Sequence, residues 1–217
     1  VSPQGDAKPD WWIICEIARR MDFDGFDFDG PEPIFNELCS LSPIYAGLSW
    51  DRVERGAYQW PVPEQGHPGT PILHEDEFAN GRGVFKLTGY RDPAETIDDD
   101  YPVWLTTGRR LASYHTRTQT GRSSGIDYLL SEEALEVHPD DVRAWGLDDG
   151  AWCTLSSRRG AVRIKVQATD RSPRGTVFAS FSFNDVPVNI LTGSGYDPTT
   201  DTAELKVCPV RIELEVA

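Results

Sequence analysis

The spacing of apolar residues changes near Tyr101, and this change restricts the possible folds more than any other property of the chain. Downstream of Tyr101, apolar and polar side chains alternate in three segments. The alternating apolar residues are Val103 and Leu105, then Val162, Ile164 and Val166, and finally Val210, Ile212, Leu214 and Val216. Because a repeat of two is typical of half-buried strands, the C-terminal half is predicted to be a compact β domain with little helix.

Upstream of this point, residues 9–21 follow a helical repeat instead. Pro9 and Asp10 are suited to the start of a helix, and Arg19 and Arg20 to its last turn. The apolar side of this helix is predicted to be buried, and it consists of Trp11, Ile14, Cys15, Ala18 and Met21.

Two further helices are predicted, one after Pro31 and a short one that begins at Pro139 and ends before Gly146. The apolar side of the helix after Pro31 consists of Ile34, Phe35, Leu38 and Leu41. The stretch from Ser42 to about His74 is rich in Pro and Gly and is predicted to be a loop. The acidic stretch from Arg91 to Asp100 suggests a domain boundary, so we divide the chain into residues 1–97 and 98–217.

The charge of the chain excludes some classes of partner. It has 21 Lys and Arg against 35 Asp and Glu, a net charge of -14, which disfavours binding to nucleic acid or to anionic lipid. It has no apolar run of about eighteen residues, so no membrane span is expected. A cytoplasmic location is the corresponding expectation.

The four cysteines, Cys15, Cys39, Cys153 and Cys208, lie far apart and form no C-x-x-C pair. This spacing predicts neither a zinc site nor an iron-sulfur cluster in the chain. The cysteines are expected to be reduced and buried.

Residues 121–125 match the G-x-S-x-G pattern of serine hydrolases, in which an apolar strand precedes the serine. Here a polar run, Thr116 to Thr120, precedes it, so Ser123 is not predicted to be a nucleophile.

The acidic residues between Asp22 and Asp29, followed by Gly30, resemble a calcium-binding loop. With Gly30 in the sixth position of such a loop, the first and twelfth positions are Gly25 and Asn36 rather than acids. A solvated acidic loop is therefore the better interpretation.

The segment 106–124 is rich in hydrogen-bond donors and directly follows a predicted strand. It contains Thr106, Thr107, Gly108, Arg109, Arg110, Ser113, Tyr114, His115, Thr116, Arg117, Thr118, Thr120, Arg122 and Ser123. Guanidinium groups, hydroxyls and backbone amides next to glycine are the groups that bind phosphates and heterocycle edges. A surface loop with a few ion pairs is the alternative that composition leaves open.

Motifs along nearly the whole chain resemble the large (alpha) subunit of formate dehydrogenases, in the molybdopterin oxidoreductase superfamily. In order, they are residues 8–21 (KPDWWIICEIARRM), 59–61 (QWP), 67–74 (HPGTPILH), 101–102 (YP), 105–109 (LTTGR), 114–116 (YHT), 136–141 (EVHPDD), 146–150 (GLDDG), 156–160 (SSRRG), 189–192 (NILT) and 204–208 (ELKVC). Each motif alone is a weak signal, whereas their shared order is a strong one.

The resemblance implies an α+β fold that is mainly β. Residues 98–217 would form a double-psi β-barrel that binds molybdopterin dinucleotide, and residues 1–97 the C-terminal part of the neighbouring catalytic domains. The implied cofactor is molybdopterin guanine dinucleotide, with molybdenum or tungsten held by an upstream part of the subunit. The implied cofactor-binding residues are Thr107, Gly108, Arg109, Arg110, Tyr114, His115, Thr116, Asn189 and Lys206. No residue of the chain is assigned a catalytic step.

The resemblance also implies a reaction, the two-electron oxidation of formate to carbon dioxide, with electrons leaving through iron-sulfur centres. The implied partners are the upstream iron-sulfur and catalytic part of the same subunit, and electron-transfer subunits. Two alternatives stay open: the C-terminal part of an assimilatory nitrate reductase or related molybdopterin oxidoreductase, and a stand-alone cofactor-binding module without catalysis. The HPGTPILH and YHT motifs favour formate over nitrate.

Overall fold

A computed structural model describes residues 2–215 of the chain. The chain divides into two compact units, Val1–Leu87 and Thr88–Ala217. The domain boundary expected after residue 97 stays a prediction.

The first unit contains three helices. They are α1 (Asp10–Arg20), α2 (Pro31–Leu41) and α3 (Trp50–Arg55), with a 3₁₀ turn at Pro43–Tyr45. The helices predicted near residues 9–21 and after Pro31 are confirmed. The loop predicted from Ser42 to His74 is wrong over α3, where the Ser49 side chain accepts a hydrogen bond from the Arg52 amide and caps the helix.

The predicted burial of one side of α1 is only partly correct. Cys15 and Ala18 are buried, but Ile14 is 54% exposed and Met21 is 72% exposed. Along α2, only Cys39 is buried. The reason is the small core of this unit, which buries four apolar side chains: Cys15, Ala18, Cys39 and Val62. Three short helices cover too little surface to enclose both amphipathic faces.

The second unit is built on six strands. They are β1 (Val103–Gly108), β2 (Ala134–Val137), β3 (Trp152–Ser156), β4 (Ala161–Ala168), β5 (Thr176–Ser180) and β6 (Cys208–Leu214). The strands close into a barrel in the order β1-β5-β2-β4-β3-β6. The pairs β1–β5 and β2–β4 are parallel, and the other four are antiparallel. The predicted fold class, mainly β with a C-terminal barrel, is confirmed.

Most of the alternating residues that predicted the strands fill the barrel interior, but Ile212 is only partly buried and Leu214 is 44% exposed. On β4, Val162, Ile164 and Val166 are each at most 5% exposed. Leu105 of β1 and Val210 of β6 are fully buried in the same core. Val216, the last residue of the predicted alternation, lies outside the residues that the structure describes.

Two short helices complete the second unit, α4 (Ser124–Leu129) and α5 (Pro139–Ala144), together with 3₁₀ turns at Thr120–Arg122 and Val188–Leu191. Helix α5 is the one predicted at Pro139. His138 caps it, because its Nδ1 accepts a hydrogen bond of 3.1 Å from the Asp140 amide. Gly146 follows with a φ of 66°, in the left-handed region that glycine adopts without strain.

All four cysteines are free and buried. Burial raises the pKa of the Cys153 thiol to about 12. Among residues 2–215, no helix is both long enough and apolar enough to cross a membrane.

The fold makes a direct prediction about two leucines. Leu105→Ala removes a fully buried side chain and is expected to lower the free energy of unfolding by about 2–5 kcal/mol. Leu111→Ala is the matched control, since Leu111 is fully exposed and its loss leaves no cavity. Urea unfolding followed by tryptophan fluorescence measures both. Equal losses of stability in the two variants would contradict the assigned barrel core.

Candidate functional site

The parallel pair β1–β5 brings two distant loops to one edge of the barrel. Gly108 and Ser180 lie opposite each other at the carboxyl ends of these strands. The loops that follow, residues 109–123 and 181–187, therefore leave the barrel side by side. We call these two loops the β1–β5 edge. The Phe181 amide donates a hydrogen bond of 3.4 Å to the Gly108 carbonyl and joins them at their base.

Two arginines of the first loop lie over aromatic rings of the second. The guanidinium carbon of Arg109 is 5.9 Å from the ring centre of Phe181, and that of Arg117 is 4.2 Å from the ring centre of Phe183. Arg117 also pairs with Asp127. Arg109 is exposed and forms no ion pair within residues 2–215. The edge thus presents an uncompensated positive charge, supported by an aromatic face.

Buried polar atoms without partners concentrate at the same edge. In the described part of the chain, four buried side-chain atoms have no hydrogen-bond partner. Three of them belong to these loops: Ser113 Oγ, Arg117 Nε and Ser182 Oγ. A buried polar group without a partner costs about 1–3 kcal/mol, so such groups normally have one. The donors of the β1–β5 edge fit a polar ligand.

The loop residues Tyr114, His115 and Thr116 are exposed. Their backbone is tightly turned, with a φ of 46° at His115 and 61° at Arg117. The Arg117 amide donates to the Tyr114 carbonyl at 3.0 Å, and the rings of Tyr114 and His115 make an edge-to-face contact with 4.4 Å between centres. Left-handed conformations at non-glycine residues cost free energy and occur often at functional sites.

Arg110 is placed differently from Arg109. Its Nε and Nη2 donate to Glu133, its Nη1 donates to Glu136 at 2.5 Å, and Nη2 also reaches the Ala134 carbonyl at 2.8 Å. The Glu133 side chain is completely buried. All three guanidinium nitrogens of Arg110 are therefore engaged inside the protein. This geometry gives Arg110 a role in the scaffold, and its contact with a cofactor stays a prediction.

A cavity of about 660 Å³ lies beside β1. Trp104, Thr106 and Tyr196 line it together with Lys206, which is exposed and forms no ion pair in the part of the chain that the structure covers. The Thr107 hydroxyl donates to the Leu205 carbonyl and so fixes β1 next to the segment that carries Lys206.

A second cavity of about 480 Å³ is lined by Arg109 and Arg110. Phe178 lines it, and Thr106 lines both cavities. A Cβ atom on Gly108 would lie 2.8 Å from the Phe178 ring, so only glycine fits at this position without a shift. Of the predicted residues, Arg109 and Arg110 line the second cavity and Lys206 lines the first, whereas Thr107 and Gly108 line neither.

Asn189 lies on a different turn from the other predicted residues. It is exposed on the turn Val188–Leu191 and lines neither of these two cavities. The structure thus brings Thr107 close to the Lys206 segment, whereas Asn189 lines neither cavity.

Sequence reasoning missed the residues of the second loop. Phe181, Ser182 and Phe183 follow β5 directly and face the donor-rich loop through the contacts above. An F-x-F pattern after an apolar strand was the available signal, but nothing in the sequence shows that β5 lies beside β1. Among the described residues, no group of three or more His, Cys, Asp or Glu side chains could hold a metal ion.

A closed barrel whose edge carries an unpaired cation and unsatisfied donors is suited to binding an anionic cofactor. Residues 103–209 match the family of the molybdopterin dinucleotide binding domain. The barrel of this chain belongs to that family.

Relatives of known name give a more specific context. The chain is 38% identical to the alpha subunit of F420-dependent formate dehydrogenase 2 from Methanococcus maripaludis, over 98% of this chain and 32% of that protein. It is 34% identical to the assimilatory nitrate reductase catalytic subunit from Bacillus subtilis, over 96% of this chain and 31% of that protein. The chain thus spans about a third of the length of the curated relatives it matches.

Among solved structures, acetylene hydratase from Pelobacter acetylenicus has a similar fold. The TM-score is 0.68 at 16% identity, over 99% of this chain and 34% of that one. At this identity the likeness concerns the fold alone.

The buried charges at the start of β2 predict a large effect of one substitution. Arg110→Met leaves the Glu133 carboxylate buried without its cation and is expected to lower the free energy of unfolding by about 3–5 kcal/mol. Arg163→Met is the control, because the pair of Arg163 with Glu215 is solvent-exposed and its loss should change stability little. Chemical unfolding curves of the two variants measure both changes in the free energy of unfolding. A small effect of Arg110→Met would show that the pair of Arg110 with Glu133 does not stabilise the edge.

Proposed function

We propose that this chain is the cofactor-clasping C-terminal part of a molybdenum or tungsten oxidoreductase that uses molybdopterin guanine dinucleotide. The observation that carries the proposal is the exposed, unpaired Arg109 beside the buried, unsatisfied donors Ser113 Oγ, Arg117 Nε and Ser182 Oγ. The chain has a net charge of -14, so hydrogen-bond donors without partners that concentrate at one edge favour the binding of an anionic ligand there. The family of the barrel supports the same type of ligand.

The residues of the barrel fit the chemistry of such a cofactor. Arg109 and Lys206 have no carboxylate partner among residues 2–215 and can neutralise a pyrophosphate. The hydroxyls of Ser113 and Ser182 can satisfy the polar edges of a heterocycle, for which Tyr114, His115, Thr116 and Asn189 offer further polar groups. When bound, the metal and its pterin supply the redox chemistry, whereas the residues of this chain bind and orient the cofactor.

Formate is the substrate that we propose for the complete enzyme, with oxidation to carbon dioxide and transfer of two electrons to iron-sulfur centres. The support is the 38% identity to formate dehydrogenase alpha subunits and the HPGTPILH stretch, residues 67–74. Nitrate reduction is the second candidate, because the assimilatory nitrate reductase subunit is 34% identical over almost the same length.

The exposed apolar residues of the first unit favour a part of a larger subunit over a stand-alone module. Ile14 and Ile17 of α1, Met21 directly after it and Leu41 of α2 are each more than half exposed. Exposed apolar patches of this kind normally serve as contact surfaces. We propose that the partners are the upstream iron-sulfur and catalytic part of the same subunit and electron-transfer subunits, in a cytoplasmic enzyme.

Cofactor retention tests the proposed site. The chain is produced in a host that makes molybdopterin guanine dinucleotide, and the pterin is measured by fluorescence after oxidation, with the metal by elemental mass spectrometry. We expect Lys206→Ala to weaken retention by about tenfold, the equivalent of roughly 1.4 kcal/mol. Lys165→Ala is the matched control, since it removes the same charge from a lysine that pairs with Glu132 elsewhere on the barrel. Equal retention by both lysine variants, or no pterin on the unmodified chain, contradicts the proposal.

Substrate turnover separates the two reactions. The complete enzyme that contains this chain is assayed with formate and an artificial electron acceptor, and separately with nitrate and an artificial donor. We expect formate oxidation to exceed nitrate reduction by orders of magnitude, because a site built for one substrate leaves polar groups unpaired with the other. Turnover of nitrate alone would assign the chain to the second candidate.

A further inference from the structure

Arg159 connects three segments of the barrel that are distant in sequence. It lies in the turn between β3 and β4, and its Nε and Nη2 donate to the Leu191 carbonyl at 3.1 and 2.9 Å. Its Nη2 also donates to the Cys208 sulfur at 3.3 Å, and its Nη1 pairs with Glu95. Leu191 ends the turn that carries Asn189, and Cys208 lies two residues after Lys206. One guanidinium therefore holds both segments.

Glu95 belongs to a segment, residues 92–98, that we call the strap. Glu95 pairs with Arg159 and also accepts a hydrogen bond of 3.2 Å from Arg158. The neighbouring Ala94 amide donates to Glu204 at 2.9 Å, in the segment that carries Lys206. A Cβ atom on Gly195 would lie 2.6 Å from the Ala94 Cβ, so the strap also packs directly against the chain between Asn189 and Lys206.

The protonation states keep this network intact near neutral pH. Burial raises the pKa of Cys208, although the hydrogen bond from Arg159 opposes the shift. The thiol therefore keeps its proton, which it donates to the Leu191 carbonyl at 2.9 Å. Burial by itself lowers the pKa of Arg159, but hydrogen bonds with Glu95 and Cys208 outweigh this effect and raise it. The Leu191 carbonyl thus accepts hydrogen bonds from two protonated side chains, Arg159 and Cys208.

We infer that Arg159 and Glu95 are positioning residues that fix the two segments carrying Asn189 and Lys206, so that both side chains are preorganised for the cofactor. The inference rests on the proposed function for the identity of the ligand. The contacts themselves are made by the chain alone, since the hydrogen bonds to Leu191, Cys208 and Glu204 involve no other molecule. Preorganisation of this kind reduces the unfavourable free energy of ordering these segments when a ligand binds.

Hydrogen exchange followed by mass spectrometry on the full chain tests the positioning without any ligand. In Arg159→Met, amides of residues 186–197 and 203–208 are expected to exchange about tenfold faster, as the loss of a charge-assisted hydrogen bond allows. The strands β2 and β4 should exchange as before. Arg163→Met is the matched control and should leave both segments unchanged, because Arg163 pairs with Glu215 rather than with either of them.

Milder substitutions at Arg159 and Glu95 distinguish a loss of positioning from a general loss of folding. Arg159→Lys keeps the charge toward Glu95 but not the planar set of donors, so its exchange should lie between that of the unmodified chain and that of Arg159→Met. Glu95→Gln keeps a hydrogen-bond acceptor and should be milder than Glu95→Ala. Unchanged exchange in Arg159→Met and Glu95→Ala, or faster exchange spread equally over all strands, would overturn the inference.

Pterin retention then links the network to the cofactor. Arg159→Met alone should reduce pterin retention. In the double variant with Lys206→Ala, the loss should be smaller than the sum of the two single losses, since Arg159 acts through Lys206. Full additivity of the two losses overturns this link. If the unmodified chain holds no pterin, the proposed function fails, whereas the exchange measurement still decides whether Arg159 and Glu95 fix the two segments.

Discussion

The burial of the Glu133 carboxylate is the constraint on which the candidate site depends. This side chain is completely removed from solvent and accepts hydrogen bonds from Arg110, from the Ser180 amide at 3.2 Å and from the Ser180 hydroxyl. Because a buried charge without partners is strongly unfavourable, the end of β1, the start of β2 and the end of β5 must meet at this point. The β1–β5 edge is held in place by that meeting.

The β1–β5 edge next to Glu133 carries an exposed positive charge. The chain as a whole has a charge of -14, yet Arg109 is exposed without a carboxylate partner in the described range 2–215. Arg110 has its charge compensated by Glu133 and Glu136, so of the two adjacent arginines only Arg109 presents its charge to solvent. A second support, from Arg159 and the strap, fixes the segments of Asn189 and Lys206 on another part of the barrel.

Much of the secondary structure could be predicted because it depends on local patterns. The alternation at Val162, Ile164 and Val166 predicted β4, and the position of Pro139 predicted α5. Helix α3 was missed because Ser49, its cap, lies in a stretch whose Pro and Gly content indicated a loop. The burial of α1 was overestimated, since periodicity shows which side of a helix is apolar but not whether the surrounding unit is large enough to cover it.

For the site, the local density of donors in residues 106–124 predicted the segment that the structure places at the β1–β5 edge, because hydrogen-bonding capacity is a property of residue type. The roles within that segment depend on partners elsewhere in the chain. Arg110 is neutralised by carboxylates 23 and 26 residues away, and the rings of Phe181 and Phe183 reach Arg109 and Arg117 only because β5 pairs with β1. Charge pairing and stacking act over a few ångströms in space, and only the folded barrel sets those distances.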